Sequence, residues 1–200
     1  MIENIEAVQT DRKLVVPYIK YKLDNGLTII IHEDHTDPLF HLNLTFRVGS
    51  VNESPDLAGN AYMITQLMNT TSPKIPGGNY ADFIKEYGGN SETKICRDKT
   101  SFSVTAPNTL LQTVLWLESE RIINFNNSLI ESNFLNVKEE VIQTVEEKLV
   151  ASNEGFLDDM TNKVIYSFGH PYSWTPYGKK SYLERIGLME LKKFYLDWYG

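Results

Sequence analysis

The side chains that could carry chemistry in this chain are few. It has four histidines, His32, His35, His41 and His170, and a single cysteine, Cys96. One thiol excludes an internal disulfide and a Cys-based zinc site. His32 and His35 could form a relocated metal site, but histidines that flank a turn are more often simply exposed. His170 is expected to lock a loop by hydrogen bonding, and no local signature of a Ser/His or Cys/His nucleophile is present.

Composition limits the classes of function. The chain has 200 residues, 42% of them hydrophobic and 22% charged, which suffices for one domain with its own core. The 19 basic and 26 acidic residues give a net charge of −7 without a cluster of Lys and Arg, so nucleic acid is not an expected partner. The sequence contains no run of eighteen apolar residues, so it predicts no transmembrane segment. By default we expect the protein in the cytoplasm. If a signal peptide has been removed, we expect it in the periplasm or exported.

The elements that must position these side chains follow from periodicity. Alternation of apolar and polar residues predicts strands at 19–23, 27–31, 39–48, 91–96 and 100–106, the first two joined by a hairpin. Helical periodicity and capping residues predict a helix from Leu57 capped by Asp56, a short helix at 79–87, a helix from Pro107, mostly helix over 129–168 and a last helix at 188–199. The aromatic loop Tyr172, Trp174 and Tyr177 is expected to cover the end of a core. This order of elements indicates an α+β fold with helices packed on a mainly antiparallel sheet.

Short motifs occur in a fixed order along the chain. They are Asn25-Gly26-Leu27, Val48-Gly49-Ser50, Glu53-Ser54-Pro55, Gly59-Asn60-Ala61, Gly88-Gly89, Arg97-Asp98-Lys99-Thr100, Leu115-Trp116-Leu117-Glu118 and Gly169-His170-Pro171-Tyr172. No single motif is specific, but the ordered set resembles the N-terminal half of the insulinase/pitrilysin metallopeptidases, the M16 or inverted-zincin family. The resemblance implies an M16-type (LuxS/MPP-like) α/β roll with helices on one face of the sheet. Residues 1–17 are expected to be a polar lead-in, and 18–200 the N-terminal domain of a longer chain.

The family resemblance implies an H-x-x-E-H helix, on which two histidines hold zinc and the glutamate serves as general base. When the motif is aligned on Gly59 and Ala61, Tyr62 stands for the first histidine, Thr65 for the glutamate and Gln66 for the second histidine. A further glutamate completes the coordination in the family. Glu140 corresponds best to it, 74 residues after Gln66 and close to the family's spacing.

These three replacements remove the expected zinc chemistry. A catalytic zinc takes about three protein ligands, usually imidazole or carboxylate. Gln66 offers a neutral amide oxygen, and the Tyr62 phenol must lose a proton with a pKa of about 10. Thr65 cannot take a proton from water near neutral pH, so the ~10²–10⁴-fold contribution of general acid–base catalysis is lost. We therefore expect no catalytic residue and no bound metal, with Glu140 as a remnant of the distal ligand.

A second departure from the family lies on the strand after the Gly-Gly turn. The family has an asparagine and small residues on an edge strand that pairs with extended substrate, whereas this chain has Glu92, Thr93 and Lys94. Pairing with a peptide could survive the change because β-augmentation uses main-chain groups. The alternative is that Glu92 and Lys94 protect a free edge from aggregation. The sequence leaves both interpretations open.

The resemblance and the altered motif together predict a catalytically inactive M16 homologue. Such a chain would be a partner or scaffold subunit in a heterodimer, helping to enclose peptide substrate for an active zinc-peptidase subunit that carries H-x-x-E-H. Zinc is the cofactor of the family, and none is expected here. Two alternatives stay open: an active zinc metalloendopeptidase with atypical ligands, and a stand-alone peptide-binding or assembly module.

Overall fold

The backbone forms two compact units, residues 1–38 and 39–200. Each unit contains a three-stranded antiparallel sheet, and the helices belong to the second unit, so the predicted α+β class is confirmed. The computed structural model describes residues 2–5, 16–70, 74–75, 79–150 and 153–200.

The first unit is a sheet with the strand order β1-β2-β3. Its strands are β1 (Ile2–Ile5), β2 (Tyr18–Lys22) and β3 (Thr28–Ile31). The predicted hairpin between β2 and β3 is confirmed. The sequence analysis did not identify β1. This strand lies within the expected polar lead-in, and its backbone pairs with β2 from Ile2 opposite Tyr21 to Ile5 opposite Tyr18. This long-range pairing leaves no local pattern.

The sheet of the second unit has the order β4-β6-β5, and both pairings are antiparallel. Its strands are β4 (Leu39–Phe46), β5 (Asn90–Ile95) and β6 (Thr100–Pro107). Side chains alternate between the two faces. The face that includes Phe102 and Val104 lies beneath the helices, and the other face is mostly polar and is exposed or partly exposed. Helices therefore cover one face of the sheet, as predicted.

The helices of the described residues follow the predicted order. They are α1 (Asn60–Thr70), α2 (Tyr80–Glu86), α3 (Leu111–Ser128), α4 (Glu131–Val150), α5 (Asn153–Ile165), α6 (Lys180–Leu183) and α7 (Leu188–Trp198). The one-turn helix α6 was not predicted because four residues are too few for a periodic pattern. Among the helices described, none is long and apolar enough to cross a bilayer.

The core of the second unit is built around α1. Most residues of this helix are buried, and Met63, Ile64 and Leu67 are completely inaccessible to solvent. They belong to one cluster with Phe102 of β6 and with apolar residues of α4 and α7, including Val141. Because the helix is enclosed on most sides, the side chains at the motif positions are constrained by packing before any ligand is considered.

Candidate functional site

A buried carboxyl group holds the start of α1. Glu53, 7% exposed, lies in the loop before the helix, and its two carboxylate oxygens accept hydrogen bonds from the N–H groups of Gly59 (3.0 Å) and Ala61 (2.7 Å). Such N–H groups lack partners in the first turn of a helix. The prediction that Asp56 caps α1 was wrong: Asp56 is exposed in a 3-10 turn at 55–57, and Glu53 supplies the acceptors from further back.

Burial raises the pKa of Glu53 to about 8, although the hydrogen bonds from Ala61 and Gly59 act in the opposite direction. A carboxyl group with such a pKa titrates close to neutral pH, whereas an exposed glutamate is already ionised at that pH. The indole of Trp174 also lies against this loop and donates to the Ser50 carbonyl at 3.2 Å. The start of α1 therefore depends on a titratable group outside the motif.

The start of α1 is also held by close packing of the loop that ends at Gly178 against the residues that lead into the helix. A Cβ added to Gly59 (φ = +115°) would lie 2.6 Å from a Leu183 methyl group, and one added to Gly178 (φ = +74°) would lie 2.4 Å from the Ala58 carbonyl oxygen. Both positions therefore need glycine. The loop that ends at Gly178 lies directly on the chain entering α1, which brings Tyr177 to the first motif position.

Tyr62, at that first position, is buried rather than directed at solvent. It is 5% exposed, and its ring packs edge-to-face on Tyr177 with the centroids 5.2 Å apart. Burial, and secondarily Tyr177, raise the pKa of the Tyr62 phenol above its ordinary value. A phenol must ionise to become a strong metal ligand, and this environment opposes that ionisation.

Thr65 and Gln66 supply neither a base nor an imidazole. Thr65 is 1% exposed, and its hydroxyl donates to the Ala61 carbonyl one turn earlier at 2.6 Å. Gln66 is half-buried, and its backbone carbonyl accepts a hydrogen bond from the Thr70 hydroxyl at 3.0 Å. The Thr65 hydroxyl is thus engaged by its own helix, and Gln66 contributes an amide.

Glu140 lies on α4, beside the face that buries Val137, Val141 and Val145. Its side chain is exposed, and its backbone carbonyl accepts from the Thr144 hydroxyl at 2.8 Å. Among the described residues, no hydrogen bond or ion pair connects the Glu140 carboxylate to any partner. Glu140 therefore lies on α4, within the predicted helical stretch, and among the described residues its carboxylate makes no contact of this kind with Tyr62, Thr65 or Gln66.

The donor set does not fit the zinc of the family. A phenol whose pKa is raised, a hydroxyl bound within its helix and a neutral amide do not match the imidazole and carboxylate ligands of catalytic zinc. In the part of the chain that the structure describes, no three His, Cys, Asp or Glu side chains are grouped closely enough to hold a metal ion.

Strand β5 lies beside the last turn of α1. The Asn69 amide donates to the Thr93 hydroxyl at 2.9 Å, and that hydroxyl lies 3.2 Å from the Asn69 side-chain oxygen. Among the described strands β5 pairs with β6 alone, which leaves its other edge free. Glu92 and Lys94 are exposed on the face opposite Thr93. The three residues singled out from the sequence therefore lie on an edge strand that is tied to the motif helix.

The histidines and the aromatic loop singled out from the sequence lie outside the motif helix. His32 and His35 are exposed, and His170 Nδ1 accepts a hydrogen bond from the Tyr172 N–H at 3.1 Å, so the predicted loop-locking role is confirmed. Trp174 is 6% exposed, which agrees with an aromatic loop that covers the core.

Sequence reasoning missed the buried polar groups behind α1. The Tyr199 hydroxyl lies 2.9 Å from the Thr100 hydroxyl, which donates to the Val48 carbonyl at 2.8 Å. Glu53 was noted within a motif, but its role could not be found because its hydrogen-bond donors lie six and eight residues away in a loop that must first fold back. No sequence signal identifies these contacts.

The sequence comparison gives the family of this α+β domain. The model for the insulinase peptidases, family M16, matches residues 28–165, more than half of the chain, so this chain belongs to the M16 family. The predicted M16-type fold is confirmed by solved structures. A protease from Helicobacter pylori superimposes with a TM-score of 0.81 at 23% identity, over 93% of this chain and 44% of that one.

Further relatives agree on the family and the fold. The zinc protease PqqE of Helicobacter pylori is 26% identical over 178 residues, which are 88% of this chain and 39% of the relative. A structure described as the inactive domain of an M16 peptidase from Pseudomonas fluorescens superimposes with a TM-score of 0.70 at 18% identity, over 89% of this chain and 42% of that one. The periplasmic protease PqqL from Escherichia coli gives a TM-score of 0.76 at 20% identity, over 97% and 21%. This chain therefore spans less than half the length of these relatives.

Proposed function

We propose that this chain is a catalytically inactive M16 homologue, a partner or scaffold domain that helps to hold extended peptide for an active zinc peptidase. One observation carries the proposal: the motif helix presents Tyr62, Thr65 and Gln66 where zinc chemistry requires two imidazoles and a carboxylate. The fold around these positions is intact, whereas the donors have changed.

The replacements affect both the zinc ligands and the general base. Tyr62 is packed against Tyr177 and resists ionisation, so it is a poor substitute for a histidine ligand. The Thr65 hydroxyl cannot activate water, because it is bound to its own helix and remains protonated near neutral pH. Unassisted water keeps a pKa of about 15.7, compared with about 7 on a catalytic zinc. A change at one position could tune an enzyme, but these changes remove metal and base together.

The contact between α1 and strand β5 supports a role in holding peptide. Strand β5 is tied to the last turn of the helix through the Asn69–Thr93 contact, and the main-chain groups of its free edge suffice to pair with an extended peptide. An active partner carrying H-x-x-E-H would then supply the hydrolysis. The chain's share of its relatives' length is compatible with further domains in the same polypeptide or in a partner.

Metal content of the purified protein tests the proposal. After incubation with zinc and desalting, elemental analysis is expected to find well below one zinc per chain. About one zinc per chain, removable by a chelator, would contradict the proposal. The variant Glu140→Gln is the matched test of the atypical-ligand alternative, because zinc that disappears in this variant would identify Glu140 as a ligand.

Co-purification tests the partner role separately. Co-expression with an M16 chain that carries an intact H-x-x-E-H is expected to yield a complex with peptidase activity that depends on both chains. A protein that binds peptide without forming any such complex would favour the stand-alone binding module.

A further inference from the structure

The free edge of β5 carries an ordered pair of opposite charges. Glu92 and Lys94 are two residues apart, so they point to the same face of the sheet, and both are exposed. In the described part of the chain, neither charged group has a hydrogen bond or an ion pair. Both charges are therefore available to a strand added at this edge.

The opposite face of β5 holds the strand in place. Thr93 exchanges side-chain hydrogen bonds with Asn69 of α1, and Ile95 is 8% exposed within the core cluster. On its inner edge β5 is paired with β6 along its whole length, from Asn90 opposite Thr105 to Ile95 opposite Thr100. An incoming peptide would therefore meet a strand that is already ordered, which lowers the entropic cost of binding.

The direction of an added strand follows from this sheet. Both of its existing pairings are antiparallel, and antiparallel pairs are slightly more stable per residue than parallel ones. In an antiparallel strand, the peptide residue opposite Lys94 comes two positions before the residue opposite Glu92. Residues directly opposite each other on one face interact, and opposite charges there are favourable.

We infer that this edge selects extended peptides with an acidic residue two positions before a basic one, a Glu-x-Lys order, bound antiparallel to β5. The inference rests on the proposed peptide-holding function and adds its substrate class. The peptide glutamate lies opposite Lys94 and the peptide lysine opposite Glu92. Reversing the order in the peptide places like charges opposite each other at both positions.

Two peptides of identical composition test this inference on the full chain. Dye-labelled Thr-Thr-Glu-Val-Lys-Thr-Thr and Thr-Thr-Lys-Val-Glu-Thr-Thr are titrated by fluorescence anisotropy at low ionic strength. The Glu-x-Lys peptide is expected to bind about three- to thirtyfold more tightly, and the preference should shrink in high salt. Equal affinities, or a preference for Lys-x-Glu, would overturn the inference and leave peptide binding in place. Absence of binding by both peptides would overturn the inference and the peptide-holding function together.

A charge exchange provides the matched variant. Glu92→Lys with Lys94→Glu keeps the net charge and is expected to invert the preference between the two peptides. The control exchange Lys193→Asp with Asp197→Lys, at exposed positions of α7, should leave the preference unchanged. A preference that survives the β5 exchange, or that the α7 exchange abolishes, would place the source of selectivity elsewhere and contradict the inference.

Discussion

At the scale of single residues, the side chains at the motif positions are accommodated within the M16-type fold. Tyr62 and Thr65 are both buried, and each has a packing or hydrogen-bonding partner that suits its new side chain: Tyr177 for the phenol and the Ala61 carbonyl for the hydroxyl. The helix face is therefore accommodated as a piece of core. The most perturbed carboxyl nearby is Glu53, which belongs to the support of α1 rather than to the motif.

The pH dependence of stability should report on Glu53. Its pKa is raised from 4.5 to about 8 in the folded protein, so the native state binds the additional proton between these values. Stability linked to this group is fully present below pH 4.5 and is lost as the pH rises through 8, with a slope of at most about 1.4 kcal/mol per pH unit. Urea unfolding of the wild type and of Glu53→Gln at pH 5, 6.5 and 8 measures it, and the variant should lack this decrease.

The exposed Glu140 supplies the control for that experiment. Glu140→Gln removes one carboxylate without touching the buried cap, so its pH profile should run parallel to that of the wild type. A Glu53→Gln profile that is also parallel to the wild type would show that Glu53 does not titrate in this window.

At the scale of elements, α1 is fixed at both ends by contacts that do not involve the motif. Glu53 and the loop at Gly178 hold its first turn, and the Asn69–Thr93 pair ties its last turn to β5. These contacts position α1 without using the side chains of Tyr62, Thr65 or Gln66. This explains how the M16 framework persists around an altered set of donors.

The close approach at Gly178 can be tested by adding a methyl group. Gly178→Ala should destabilise the protein by more than about 2 kcal/mol, because the new Cβ would lie 2.4 Å from the Ala58 carbonyl oxygen and φ is positive. Gly88→Ala is the matched control: its φ is also positive, at +77°, but nothing lies within 4 Å of the added Cβ. A cost of about 1 kcal/mol is expected there, and equal losses in chemical denaturation would argue against the close contact.

At the scale of the whole second unit, a buried ion pair links elements outside α1. Arg121 and Glu118 of α3 are 7% and 5% exposed, with Nη2 and Oε1 3.4 Å apart. The Tyr80 hydroxyl of α2 donates to Glu118 at 2.6 Å, and the guanidinium lies over the Phe102 ring of β6 at 4.6 Å. Sheet, α2 and α3 therefore meet at one charged pair.

Removing one member of that pair should be costly. Glu118→Ala would leave Arg121 buried without its counter-ion and is expected to destabilise the protein by about 3–5 kcal/mol in urea unfolding. The double variant Glu118→Leu with Arg121→Met removes both charges and should lose less than the single variant. A double variant that is less stable than Glu118→Ala would contradict this account of the pair.

Much of the fold could be predicted because its elements are local. The Asn25-Gly26 turn, the Asn79 cap of α2 and the alternation along β4 each express a short-range preference, and the structure confirms them. What could not be predicted depends on distant partners. The strand β1 pairs with β2, so its partners lie 13 to 19 residues further along the chain. The Glu53 cap needs the segment before α1 to turn back on the helix start.

The sequence by itself determined the family resemblance, the α+β order of elements and the identity of the side chains at the motif positions, because these depend on residue types and their spacing. Tertiary structure decided that Tyr62 is packed against Tyr177, that Glu140 is exposed, and that the buried carboxyl group of Glu53 supports α1. The physical reason is that burial and hydrogen bonding are set by residues far apart in the chain, and these set the pKa and the accessibility on which any chemistry depends.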